Sequence, residues 1–95
     1  MRLIEKEMVR AAYTGRAWAK DNTTVARGEN KALVFLHGHH IASVIRDADG
    51  FIVRPNINTL KAWPTRTTMS RLRALGVDVC TRKGKIILNG KPLED

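Results

Sequence analysis

Residues 23–54 have the sequence TTVARGENKALVFLHGHHIASVIRDADGFIVR. Four short runs rich in β-branched and aromatic residues alternate in it with polar or glycine-containing segments, a pattern typical of strands separated by turns. The predicted strands are residues 23–27, 32–37, 41–46 and 51–54. The segments between them are far shorter than the dozen or more residues that a parallel crossover needs. The sequence therefore predicts an antiparallel meander of three to four strands.

Amphipathic helices are predicted on both sides of the meander. Before it, apolar residues recur at helical spacing over residues 3–16, with Gly15 near the predicted end; these apolar residues are Ile4, Met8, Ala11 and Ala12. After it, Pro64 and Thr65 begin a second helix, which has an apolar face of its own, made by Met69, Leu72 and Leu75. The pattern allows either a strand or an irregular loop for residues 55–63.

A hairpin is predicted at the C-terminal end, because residues 77–81 alternate in polarity, residues 82–84 favour a turn and residues 85–88 favour a second strand. Helix, meander, helix and hairpin together predict one α+β domain over residues 1–95. We expect the two helices to pack on one face of an antiparallel sheet.

Composition narrows the class of protein. The chain has 95 residues, of which 43% are hydrophobic, and its 17 Lys and Arg against 9 Asp and Glu give a net charge of +8. Such a composition is typical of a folded domain and favours an anionic partner. The single cysteine, Cys80, cannot form an intramolecular disulfide, which favours a reducing compartment, and no apolar run is long enough to span a membrane. We expect a cytoplasmic protein that does not enter the membrane.

Three segments carry a family resemblance. They are Asn22-Thr23-Thr24-Val25, the run from Val34 to Ala42 (VFLHGHHIA), and the run from Trp63 to Leu75 (WPTRTTMSRLRAL). In this order they resemble small proteins of tailed bacteriophages. The resemblance implies no particular activity, but it makes a binding protein that acts on host or viral machinery more plausible than a metabolic enzyme. Arg73 stands where such proteins more often have asparagine, so this chain is more basic.

Positive charge is concentrated after residue 60. Residues 61–85 contain seven cations against one acid, Asp78. Arg66 falls in the first turn of the second predicted helix, where the helix dipole already favours an anion. Neighbouring hydroxyls can donate to phosphate oxygens. The predicted nucleic-acid-binding residues are Thr65, Arg66, Thr67, Thr68, Arg71, Arg73, Arg82, Lys83 and Lys85. The alternative is a solvated basic face, with the threonines as helix caps and the 82–85 turn as an ordinary charged hairpin tip.

Three histidines lie close together as His37, His39 and His40. Imidazoles can bind zinc or nickel, but neighbouring positions around a tight turn point to different faces, and no carboxylate or cysteine has ligand spacing beside them. We therefore interpret the segment as a polar hairpin turn and predict no metal and no cofactor. Cys80, on an alternating strand, has no base at a spacing that indicates nucleophilic catalysis, so the sequence does not predict an enzyme.

The leading prediction is a small phage protein that binds nucleic acid, DNA or RNA, through a basic helix and hairpin. The alternative is an inhibitor or adaptor that docks its basic face on an acidic protein surface or pairs through a strand edge. A homodimer closed by an apolar patch that includes Trp18 or Trp63 is a third possibility. Both tryptophans, and Tyr13, are also candidates to stack on unpaired bases.

Overall fold

A five-stranded antiparallel sheet is the largest part of the fold. In the computed structural model, which describes residues 2–93, each strand of this sheet pairs with the next strand in the chain. The strands are β1 (Trp18–Lys20), β2 (Thr23–Gly28), β3 (Lys31–Leu36), β4 (His39–Asp47) and β5 (Gly50–Pro55). The predicted antiparallel meander is confirmed. The sequence missed β1, because three residues are too few to show an alternating pattern.

Helices α1 (Leu3–Thr14) and α3 (Arg66–Ala74) contact one another, and both contact the large sheet. A short helix, α2 (Ile57–Ala62), connects β5 to the α3 region. For these six residues both of the predicted alternatives, a strand and an irregular loop, were wrong. The signal for a helix was Asn56, whose side-chain oxygen accepts the backbone N–H of Thr59 at 3.1 Å and so caps the first turn of α2.

The core lies between the large sheet and the two longer helices. Every apolar residue predicted to face it from the second helix is buried, as are three of the four from α1; Ile4 is only half-buried. The sheet contributes small and branched side chains from its inner face: Val25, Ala32, Val34, Leu36, Ala42 and Val44. The α+β class is thereby confirmed.

A second, three-stranded sheet follows α3, formed by β6 (Val79–Arg82), β7 (Lys85–Leu88) and β8 (Lys91–Pro92). The predicted terminal hairpin is β6 and β7. Its two-residue turn consists of Lys83 at φ 52° and Gly84 at φ 78°, and positive φ at both positions is the type I′ geometry that matches the twist of paired strands. The two residues of β8 extend the predicted hairpin.

A β-bulge in β4 sets the direction of its histidines. Val34 pairs with Ala42 and Phe35 pairs with His40, so Ile41 has no partner on β3. Ile41 is buried, and its carbonyl accepts the backbone N–H of Asn56 at 2.8 Å. The bulge therefore joins β4 to the beginning of α2. It also leaves His39 on the side of Leu36 and His40 on the opposite side of the sheet.

Gly15 ends α1 in a left-handed conformation, with φ 69° and its N–H bonded to the carbonyl of Ala11. We expect Gly15→Ala to lower the free energy of unfolding by about 1 kcal/mol, because a Cβ is unfavourable at this φ. The added Cβ would also lie 2.8 Å from a guanidinium nitrogen of Arg46, although that flexible side chain can move. Urea denaturation followed by circular dichroism measures the change.

Gly15→Asn is the matched control, because asparagine tolerates the left-handed region better than alanine does. The asparagine variant should lose less stability than the alanine variant. Equal losses in both variants would show that crowding against Arg46, and not the backbone conformation, determines the cost.

Candidate functional site

The start of α3 uses two of the predicted phosphate-binding threonines for its own capping. Thr65 is the N-cap, and its Oγ1 accepts the backbone N–H of Thr68 at 3.1 Å. The hydroxyls of Thr65 and Thr68 are also hydrogen-bonded to each other, at 2.9 Å, and Thr68 is buried. The structure therefore gives Thr65 a capping role and leaves the side chain of Thr68 little access to solvent. Thr67 is half-buried.

Arg71 does not lie on the surface, and the prediction that it contacts phosphate was wrong. Its side chain is 3% exposed, and its Nη1 lies 2.8 Å from Oε2 of Glu5, which is also buried. Its Nε donates to the hydroxyl of Thr23 at 3.2 Å. The guanidinium thus joins α3 to α1 and to β2. A buried cation requires a charged partner and satisfied hydrogen bonds, and Glu5 and Thr23 supply both.

Glu5 is the acidic half of this buried pair. Burial by itself would raise the pKa of the Glu5 carboxyl, because it disfavours the charged form. Hydrogen bonds from the Ser70 hydroxyl, at 2.5 Å, and from Arg71, together with the positive charge of Arg71, outweigh burial and lower the pKa of Glu5 below its ordinary value of 4.5. Glu5 therefore stays ionised in the folded protein at neutral pH.

The other predicted cations are exposed: Arg66, Arg73, Arg82, Lys83 and Lys85. Arg66 and Arg73 lie seven residues apart on α3, which places them on the same side of the helix about 10 Å apart along its axis. The other three lie at or beside the β6–β7 turn. Within residues 2–93, no ion pair involves any of these five side chains.

One contact connects the two basic groups. Nη1 of Arg73 donates to the carbonyl of Val79, the first residue of β6, at 3.3 Å. The base of the hairpin is therefore fixed against the C-terminal part of α3. In the part of the chain that the structure describes, no hydrogen bond connects Arg66 to the hairpin tip.

A cavity of about 200 Å³ lies beside the start of α3, and no local sequence pattern indicated it. Most of the surface that lines the cavity is apolar. Leu36, Ile41, Trp63 and His39 contribute to it. The rings of Trp63 and His39 are stacked, with centroids 4.9 Å apart and planes at 27°. Trp63 nevertheless remains 51% exposed. The remaining lining residues are polar: His37, Thr59, Thr65 and Thr68.

The three histidines do not all lie together: His37 and His39 line the same cavity, and His40 lies on the opposite side of the sheet. His37 lies in the β3–β4 turn and His39 contacts Trp63, whereas His40 pairs with Phe35 on the other side of the sheet. Nδ1 of His40 lies 3.2 Å from the side-chain nitrogen of Asn56, and its Nε2 lies 3.0 Å from the Ser43 hydroxyl. Among residues 2–93, no three His, Cys, Asp or Glu side chains form a group that could hold a metal ion.

Two of the aromatic residues considered for base stacking have structural contacts. The hydroxyl of Tyr13 donates to the carbonyl of Leu75 at 2.8 Å, and its ring packs edge-on against Phe51. Trp18 is half-buried and packs against the core. Trp63 is more exposed than either, at 51%, and lines the cavity beside α3. Trp18 lines a different cavity, of about 370 Å³, together with Arg10 and Arg16, so both tryptophans are positioned for contact with a ligand.

The comparisons with known proteins give one family. The model of the Kyanoviridae Gp96 protein family matches residues 1–94. No curated protein and no solved structure matches the chain. None of the helices described in residues 2–93 is long and apolar enough to cross a membrane. The match covers nearly the whole sequence and agrees with the tailed-phage resemblance; the chain belongs to the Kyanoviridae Gp96 protein family of tailed phages.

Proposed function

We propose that this phage protein binds nucleic acid, and that its phosphate contacts come from Arg66 and Arg73 on α3 and from the cations of the β6–β7 turn. The observation that carries the proposal is the set of five exposed Lys and Arg side chains in this region, none of which has an acidic partner in residues 2–93. Unpaired cations that project from a helix and a hairpin tip can neutralise phosphates without reading the base sequence.

The position of Arg66 supports the proposal further. It is the first residue of α3, where the N–H groups of the first turn and the positive end of the helix dipole already favour negative charge. A cation at this position is unfavourable until an anion binds. A phosphate there would interact with the guanidinium and the helix terminus together.

A second group of exposed cations serves as a comparison. Arg27, Lys31 and Arg46 line a polar cavity of about 300 Å³ beside the end of α1. Glu29 lines the same cavity, and the guanidinium of Arg46 lies over the Phe51 ring at 5.8 Å. One acidic side chain therefore lies near these three cations, although within residues 2–93 it forms no ion pair with them. The proposal accordingly places the phosphates on α3 and the hairpin.

The role proposed here is binding without catalysis, in the cytoplasm of the host cell. Nucleic acid is abundant in the cytoplasm. This compartment is reducing, so it keeps a free thiol such as that of Cys80 reduced.

Binding of the purified, nuclease-treated protein to labelled duplex DNA across a salt series tests the proposal. We expect the logarithm of affinity to fall with the logarithm of salt concentration by about 0.9 for each phosphate contact. The double variant Arg66→Ala/Arg73→Ala should bind more weakly and reduce that slope by roughly 2, because it removes two contacts. The matched control, Arg27→Ala/Lys31→Ala, also removes two exposed cations and should keep most of the affinity.

Two results would contradict the proposal. Affinity that does not change with salt, or no binding at low salt, would rule out phosphate contacts as the basis of function and would favour an acidic protein surface as the partner. An equal loss in the control pair would show that overall charge, and not the α3 surface, drives binding.

A further inference from the structure

The cavity beside α3 has the features of a site for a flat ring. Leu36 and Ile41, which are 4% and 2% exposed, line it together with Trp63 and His39, whose rings stack on each other. His39 covers one face of the indole, and a planar aromatic ligand that packs on the other face removes apolar area from water on both partners. An aliphatic chain would not use the flat surface of the indole equally well.

The polar groups of the lining suit the edge of a nucleobase. Thr59 and His37 both line the cavity, and a hydroxyl and an imidazole can each donate and accept hydrogen bonds. A nucleobase combines apolar faces with donors and acceptors along its edge. The lining offers the same combination, with apolar walls and a few polar groups.

Trp63 is the feature of this cavity that a folded core does not explain. Four large apolar residues are exposed among residues 2–93, and of these Trp63 alone lines the cavity. Its backbone N–H bonds to the carbonyl of Thr59 at 2.8 Å, so the main chain holds the residue in place while about half of its surface stays in water. Covering this surface is favourable for any ring that stacks on it.

The cavity and the proposed phosphate site are adjacent in the chain. Thr65 lines the cavity and is also the N-cap of α3, and Arg66 follows it directly in the chain. A nucleotide whose base lay against Trp63 would therefore place a phosphate near the first turn of α3. The stacking surface and the anionic surface are thus positioned for two parts of one ligand.

We infer that this cavity binds an unpaired nucleobase, so that the protein prefers single-stranded over duplex nucleic acid; the inference rests on the proposed function. A base inside a duplex has both faces covered by its neighbours, and only an unpaired or extruded base can stack on a side chain. Stacking on Trp63 then adds to the phosphate contacts for a single strand and not for a duplex.

Fluorescence of Trp63 and a set of variants test the inference. In the Trp18→Phe background Trp63 is the one remaining tryptophan, and a short single-stranded oligonucleotide should quench its emission while the matched duplex should not. Trp63→Leu should weaken binding of the single strand by about 5- to 150-fold, the range measured for loss of one stacked base, and should leave duplex binding unchanged. Trp63→Phe should recover part of the loss.

Ile52→Ala is the matched control, because Ile52 is 43% exposed but lies on β5 and does not line the cavity. It should bind both ligands as the unmodified protein does. Should Trp63→Leu fail to fold, the quenching experiment and the His39→Ala variant still decide, since His39→Ala removes the stacking partner of Trp63 and should selectively weaken single-strand binding.

The outcomes separate the two proposals. Salt-sensitive binding that is equal for single strand and duplex, with unquenched Trp63 and no effect of Trp63→Leu, would overturn the nucleobase site and leave the basic surface intact. No salt-sensitive binding to either ligand would overturn the proposed function, and the nucleobase site with it.

Discussion

Glu5→Ala is expected to lower the free energy of unfolding by about 3–5 kcal/mol, the usual cost of removing one partner from a buried ion pair. The variant leaves the guanidinium of Arg71, 3% exposed, without the carboxylate that lies 2.8 Å from it. Ser70 loses its acceptor at the same time. Urea denaturation at neutral pH measures the change, and the same loss is expected for Arg71→Ala, which leaves Glu5 unpaired.

The matched control replaces both charges, as Glu5→Leu/Arg71→Met. Apolar side chains of similar size often substitute for a buried ion pair at little cost, so the double variant should be more stable than either single variant. A loss below about 1 kcal/mol in Glu5→Ala would contradict this account, because it would show that water reaches Arg71 after the substitution.

The same pair makes stability depend on pH. The pKa of Glu5 is lower in the folded protein than its ordinary value of 4.5, so the folded state favours the ionised carboxylate. The stabilisation by Glu5 is therefore complete above pH 4.5 and is lost as the pH falls through the lower, folded pKa. Glu5→Gln has no carboxyl to titrate at this site and should show a weaker loss of stability in this acidic range.

Leu72→Ala is expected to lower the free energy of unfolding by about 2–5 kcal/mol. The Leu72 side chain is fully buried on α3, in the core that the helices and the large sheet share. Truncation removes apolar contacts and leaves a cavity, since packed neighbours collapse only partly into the space. Urea denaturation gives the magnitude.

Leu72→Met is the control for this substitution, because it nearly conserves volume and should cost less than about 1.5 kcal/mol. Similar losses in both variants would show that the shape of the side chain matters more than the volume removed. A loss in Leu72→Ala below about 1 kcal/mol would mean that the surrounding core closes over the site.

Sequence patterns predicted the elements whose signals are local. The alternation of residues 23–54 gave the meander, and the spacing of Met69, Leu72 and Leu75 gave the buried face of α3. Turn residues gave the β6–β7 hairpin, where Lys83 and Gly84 adopt positive φ. These features depend on neighbours within a few positions, so the sequence contains the information directly.

The cations of α3 and the hairpin were predicted as phosphate contacts, and five of them are exposed in the structure. Arg71 was predicted with them but is buried with its partner Glu5, which is 66 positions away in the chain. Such a pairing leaves no local pattern. The cavity was missed for the same reason, since Leu36, Thr59 and Trp63 meet only after the β4 bulge and α2 bring their segments together.

Neighbour-to-neighbour strand pairing has a consequence for the order of folding. Each strand of the large sheet pairs with the strand that follows it, so its hairpins close short loops at little cost in chain entropy. Joining α1 to α3 closes a loop of more than sixty residues, as the Glu5–Arg71 separation of 66 shows. The entropy of that closure favours a folding route in which the meander assembles first and the two helices dock on it afterwards. In such a route the buried ion pair forms late, after the transition state for folding. It therefore mainly lowers the rate of unfolding and has little effect on the rate of folding.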